Sequence, residues 1–238
     1  MGIKREELRK IVIEPKSKNQ SDYLDSIDNN YITFGIGPAG CGKTFLAVLK
    51  AMQAFQEGKV RSILLARPAK EAGEKLGFLP GGIEEKLDPY MLPLYDAMNE
   101  HWADTTIQDM MDKGLIEICP VGFMRGRTFR NAFIIVDEAQ NMTREQLKMV
   151  LTRFGSDSKM VVNGDHRQSD LTPLQRGSLK VANEICREGV DGVNLVHLNA
   201  KEDIQRHQVV ADISEVWDRL YGEEDDFEMP KREVIRRR

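Results

Sequence analysis

Two kinds of hydrophobic pattern alternate along this chain. Short, nearly unbroken apolar runs are expected of strands buried on both faces of a parallel sheet. They occur at Tyr31–Ile36, Arg61–Ala66, Leu115–Cys119, Phe133–Asp137, Lys159–Asn163 and Asn194–Leu198. Between most of them, apolar residues recur at helical spacing. Phe45–Phe55 is one such stretch, closed by Gly58, which can adopt the left-handed conformation past a helix end. Thr143–Phe154 is another, with Thr143 and Gln146 spaced as a capping box and Gly155 as its stop. The alternation predicts an α/β fold with a mostly parallel central sheet. Residues 67–100 interrupt it. There, glycines and prolines punctuate "RPAKEAGEKLGFLPGGIEEKLDPYMLPLY", which predicts an insertion with short helices. The expected organisation is a lead-in at 1–18, one domain at 19–221 that holds the insertion, and a charged tail at 222–238. That tail, "GEEDDFEMPKREVIRRR", reads as solvated, with a nucleic-acid-contacting arm as the alternative.

Chemistry enters where the first strand meets the first helix. Gly37, Pro38, Ala39, Gly40, Cys41, Gly42, Lys43 and Thr44 match G-x-x-x-x-G-K-S/T at every fixed position. Glycines let such a loop curl until its N–H groups form an anion nest. Lys43 supplies a mobile positive charge for the outer phosphates, and Thr44 a hydroxyl for Mg²⁺. The order strand, loop, helix sets the phosphates at a helix N-terminus. Further on, the strand Phe133–Asp137 ends in two carboxylates, Asp137 and Glu138. In a parallel sheet, ligands gather at the carboxyl ends of strands. Asp137 is then the candidate for the Mg²⁺ shell. Glu138 is the candidate for polarising the attacking water, a role that a hydrolase needs and a small-molecule kinase does not. A third strand ends in "NGDHRQ", from which Gln168 could reach the γ-phosphate or the water.

Composition narrows the setting. The 238 residues allow one large domain or two small ones. No apolar run reaches the length of about 18 residues that a spanning helix needs. The start, MGIKREELRK, lacks the apolar segment of a secretory signal. Three cysteines without C-x-x-C spacing suggest neither a disulfide framework nor a zinc site, and a reducing cytoplasm is the simplest compartment. The four histidines are scattered, so no metal beyond Mg²⁺ is assigned. A net charge of −4 argues against a uniformly basic nucleic-acid binder and leaves room for a basic patch. No platform of interleaved aromatic and basic residues stands out in the sequence.

In order, G-x-x-x-x-G-K-T, D-E-x-Q and G-D-x-x-Q resemble the first motor domain of superfamily-1 helicases. The longer segments "GIGPAGCGKT", "MRGRTFRNAFIIVDEAQN" and "VVNGDHRQSDL", with the insertion, resemble the PhoH-like proteins over roughly residues 19–210. That resemblance implies a three-layer RecA-like phosphate-loop NTPase fold, in which Lys159–Asn163 lies between Ile32–Ile36 and Phe133–Asp137. It implies an ATPase using ATP and Mg²⁺, with RNA or single-stranded nucleic acid as target. It also implies that Gln20 reads the adenine. A helicase's second domain supplies an arginine to the γ-phosphate, and this chain is too short to hold one. A neighbouring subunit would therefore supply it, which points to a homohexameric ring. Arg206, in a segment like the family's D-x-x-R-H, is the leading choice, with Arg125, Arg127 and Arg176 as alternatives. Arg67, at a strand end, is expected to touch nucleic acid. A small-molecule phosphotransferase and a nucleotide-switched interaction protein remain competing readings.

Overall fold

The computed structural model describes residues 5–68, 92, 94–172 and 175–203, and positions 209, 212, 213, 216 and 220 beyond them. Among these, six strands form one sheet: β1 (Ile32–Ile36), β2 (Ser62–Arg67), β3 (Ile116–Pro120), β4 (Ala132–Val136), β5 (Lys159–Gly164) and β6 (Val193–His197). Their order is β3-β2-β4-β5-β1-β6, and every pair is parallel. β5 lies between β1 and β4, with Gly35 opposite Asn163 and Val136 opposite Val162. The expected strand insertion is therefore present, and each expected strand agrees with an observed one to within about one residue.

Parallel neighbours need crossovers, and the crossovers put helices on both faces. α1 (Lys18–Asn29), α2 (Lys43–Gln56) and α3 (Asp104–Asp112) share one apolar cluster with Ile63, Leu65, Phe133, Ile135 and Val161. Leu64, Ile134, Val136, Met160 and Val162 alternate with these and are equally buried on the opposite face. On that side lie α4 (Arg144–Leu151) and α5 (Ser178–Arg187), with Leu179 of α5 reaching Gly164. Three layers result, and the fold is the RecA-like α/β type. The lead-in packs onto α2: the Arg5 guanidinium lies 4.5 Å from the Phe55 ring centre, and Gln56 bonds the backbone of Leu8 and Ile11. Among the described residues, no helix is long and apolar enough to cross a membrane.

Two expectations change. α4 has its capping box on Thr143 and Gln146, as the sequence suggests, but it ends at Leu151 rather than Phe154. Phe154 instead bridges Phe129 and packs edge-on against Tyr31. Gly155 is then required by close approach, since a Cβ there would collide with the Phe129 carbonyl. Residues 69–91 of the expected insertion and the tail at 222–238 lie outside the described residues. Of the insertion, Leu94, Ala97 and Met98 are buried in the core cluster.

The chain divides into two compact units, 1–205 and 206–238. In the second, the described positions are helical and include exposed Val209, Ile213, Val216 and Leu220.

Gly35 provides a test of the packing between the sheet and α1. A Cβ there would sit 2.6 Å from Asn163 Oδ1 and 2.7 Å from the Tyr23 ring. Both neighbours are fully buried and bonded to each other. Gly35→Ala should destabilise the fold by about 1–3 kcal/mol through overpacking. Thermal or urea unfolding reads this directly, and wild-type stability would contradict the close packing.

Candidate nucleotide site

Because the six strands run the same way, the loops after β1, β4 and β5 meet at one edge. The phosphate loop leaves β1 there. The Gly37 N–H bonds the Gly164 carbonyl at 3.1 Å, and a Cβ on Gly37 would collide with the Leu198 carbonyl. Gly40 and Gly42 have φ of +86° and +82°, where only glycine is unstrained. Gly42 is also the N-cap of α2 and offers no side chain, so the helix opens on Lys43 and Thr44 with its first N–H groups uncapped. Lys43 is buried, and its Nζ donates to the carbonyls of Gly37 (2.6 Å) and Pro38 (2.7 Å). The Ala39 N–H donates to Asp165 Oδ2 at 3.1 Å. Cys41 turns its thiol inward to the Pro38 carbonyl, and burial pushes it up to about 11, so it remains a thiol.

Asp137 follows β4. Its N–H bonds the Ala66 carbonyl, which holds it beside the end of β2. Oδ1 accepts from Thr44 Oγ1 at 2.8 Å, and Oδ2 accepts from the Arg67 guanidinium. Arg67 is thus bound to the carboxylate rather than held out as a nucleic-acid contact. Glu138 is half-buried and has φ +58°, an uncommon left-handed conformation for a residue with a side chain. Burial, and next the Asp137 charge, raise its pKa above the usual carboxylate value. Its Oε2 accepts from Gln140 Nε2 at 2.6 Å, and Gln140 Oε1 in turn accepts from the Asp165 N–H at 3.0 Å. A hydrogen-bonded run therefore joins Ala39, Asp165, Gln140 and Glu138.

Upstream, Gln20 is buried with both amide ends engaged: Nε2 donates to the Cys41 carbonyl (3.0 Å) and Oε1 accepts from the Lys16 N–H (2.8 Å). Asn19 donates to Glu202 and to fully buried Asp203, which also accepts from Ser17 and from the Asn199 N–H. The Tyr23 hydroxyl donates to Asn163 Oδ1, and burial raises its pKa strongly. Gln168 is exposed in the turn after β5, its N–H on the Asp165 carbonyl. Arg206 lies outside the described residues. Thr44 and Asp137 offer hard oxygen donors that converge, which fits Mg²⁺; among the described residues no denser group of ligands could hold a metal.

Residues 12–218 match the profile of the PhoH-like proteins. The chain belongs to the PhoH family. The PhoH-like protein of Bacillus subtilis (strain 168) is 47% identical over 207 residues, which are 87% of this chain and 64% of that protein. The PhoH-like protein of Mycobacterium tuberculosis (strain ATCC 25618 / H37Rv) is 50% identical over 207 residues, covering 87% of this chain and 58% of that protein. The chain therefore spans less than two thirds of the length of these curated relatives. Among solved structures, the large terminase of the thermophilic bacteriophage D6E shares the fold with a TM-score of 0.50 and 12% identity, over 87% of this chain and 51% of that one. Family and fold together make this chain a PhoH-family phosphate-loop domain.

Two side chains of this PhoH site, Gln140 and Asp165, had no role assigned from the sequence, and a third, Arg67, had been expected to touch nucleic acid. The first two stand inside quoted motifs, so the signal was present, but spacing does not reveal which amide faces which carboxylate.

The raised pKa of Glu138 has a consequence for stability. A carboxylate harder to ionise in the folded chain costs nothing below its ordinary value of 4.5, where it is protonated in both states. The cost appears as pH rises through the higher folded value. Glu138→Gln should therefore unfold at a higher temperature than the wild type near neutral pH, and the difference should close on acidification. Each kcal/mol relieved is worth about 2–4 °C in a chain of this size. Calorimetry across that pH range reads it; identical midpoints at every pH would mean that the carboxylate is not held in a poorly solvated position.

Proposed function

We propose that this chain is a Mg²⁺-dependent ATPase that assembles into a homohexameric ring and acts on RNA or single-stranded nucleic acid. The observation that carries the hydrolytic reading is the hydrogen-bonded run from the Ala39 amide through Asp165 and Gln140 to Glu138. It ties a phosphate-loop N–H to a carboxylate of raised basicity. In this reading, Lys43 and the loop amides hold the outer phosphates. Thr44 and Asp137 would hold Mg²⁺, which when bound neutralises charge developing on the phosphate oxygens. Glu138 accepts proton density from the attacking water. Gln140 fixes one of its oxygens and so aims the other. A base with its pKa nearer neutrality suits this work better than a solvated carboxylate. Gln168 senses whether the γ-phosphate is intact. Gln20 reads the adenine by exchanging one of its internal partners for the base.

The ring rests on an arginine shared between copies. A guanidinium on the γ-phosphate is worth about 10³–10⁵ in rate, and Arg206 of a neighbouring copy would supply it. Head-to-tail contacts of this kind must close into a ring or run on as a filament. Exposed Val209, Ile213, Val216 and Leu220 support self-association, because their 4-3-4 spacing is that of a helix–helix seam. The nucleic-acid target is supported by the order of the three helicase-like motifs.

Phosphate release, labelled-nucleotide binding and solution mass test this reading. Lys43→Ala should weaken nucleotide binding and abolish turnover. Glu138→Gln should keep binding and lose about 10²-fold or more in turnover. Arg206→Ala should bind ATP yet turn it over at least tenfold more slowly, about 1.4 kcal/mol in barrier. Mixing it with Glu138→Gln subunits should restore some activity at boundaries formed by two intact halves. A monomer that hydrolyses ATP at the full rate would refute the shared site.

A further inference from the structure

The loop after β3 combines features that the sequence alone does not separate. β3 ends on the same edge as the phosphate loop and is followed by a tight turn, Val121–Met124. Val121 and Met124 are buried and anchor the turn, while Phe123 between them is 57% exposed. Cβ atoms built at Gly122 and Gly126 meet nothing within 4 Å, so the surroundings of the loop are open. Arg125 and Arg130 are exposed. Arg127 is committed internally: it pairs with Glu117 and lies 4.6 Å from the Phe129 ring centre. Residues 118–136 contain these three arginines and no carboxylate, in a chain whose net charge is −4. β3 stands two strands from β4, so the loop emerges about 10 Å along the edge from Asp137.

We propose that this loop is a base-stacking platform for single-stranded nucleic acid, with Phe123 as the ring and Arg125 as the phosphate contact. The assignment rests on the reading of the chain as acting on such a strand, and it names where the strand lies. Two observations favour a nucleic acid over a second copy of this chain. The exposed apolar surface here is one ring between glycines, far below the roughly 800 Å² per partner of a stable protein interface, whereas a base needs only one ring. The exposed charge here, on Arg125 and Arg130, is positive, which complements phosphates. The turn is held rigid by its buried flanks, so the ring is presented without an ordering cost.

Fluorescence anisotropy with labelled oligouridylate and oligothymidylate tests the proposal on the full chain. Phe123→Ala should weaken binding about tenfold. Phe123→Leu should be as weak, since it keeps apolar bulk but no π-face, and Phe123→Trp should bind at least as well as the wild type. Arg125→Ala should lower the slope of log affinity against log salt by about 0.7. ATP turnover without nucleic acid and the solution mass should stay unchanged in the three Phe123 variants, which also reports that they fold. Wild-type binding by Phe123→Ala and Phe123→Leu would overturn the platform and leave the proposed function standing. Failure of the wild type to bind either oligonucleotide would overturn both. A changed mass in Phe123→Ala would overturn the platform in favour of a contact between copies.

Discussion

The Asp137 carboxylate is 3% exposed, and a charge in such a position is tolerated only where donors converge on it. The donors come from two other elements. Thr44 stands in the first turn of α2, and Arg67 is the last residue of β2. The ion pair and hydrogen bond therefore pin the helix that follows the phosphate loop to β2 and β4, neighbours in the sheet. Removing one partner from a buried pair typically costs about 3–5 kcal/mol, because the remaining charge is left unpaired. The site and the fold share this interaction, so neither can drift without the other. It also explains why a long cation stands at the end of β2, where the surrounding pattern is apolar.

A second constraint is the position of β5. Lying between β1 and β4, it sets Asp165 one residue beyond its own end and between the two functional loops. From there the side chain takes the Ala39 N–H, while the backbone N–H bonds Gln140. Gln140 can serve both neighbours because an amide has a donor and an acceptor at opposite corners. A glutamate in its place could not donate to Glu138. The left-handed backbone of Glu138 belongs to the same arrangement: it turns the chain sharply after β4, so that the side chain meets Gln140 two residues on. Such a conformation costs of order 1–3 kcal/mol and persists because its neighbours over-determine it.

The sheet and the phosphate loop were legible in the sequence for physical reasons. Strands buried on both faces must be apolar throughout, and a loop that bares its N–H groups to an anion must have glycines at set positions. The strand order was legible only through family resemblance, since hydrophobic pattern carries no information about neighbours. Three features were not legible. The end of α4 fell three residues early because Phe154 is drawn into a bridge with Phe129, a tertiary contact that local periodicity cannot report. Arg67 was read from its edge position alone, which does not say that the guanidinium turns back onto Asp137. Phe123 sits in "VGFM", which reads as a core segment, and only the burial of its two flanks distinguishes the residue left outside.

The balance of charge at the edge completes the picture. Lys43 and Arg67 face Asp137, Glu138 and Asp165, and Asp203 lies buried beneath the upstream segment. The carboxylates outnumber the cations, and Arg67 is already committed to one of them. A polyphosphate arriving alone would meet one mobile ammonium and a helix N-terminus, whose attraction is about half a charge. That is a small force against several anions in a poorly solvated cleft. A hard divalent cation entering with the phosphates, as proposed, would reverse the local sign, and the Thr44 and Asp137 oxygens are donors that would suit it. Burial keeps Glu138 basic in the same place, and the Asp137 charge adds to it. In the proposed reading, one arrangement of charge thus disfavours bare nucleotide, favours the metal complex and leaves Glu138 as a base for water.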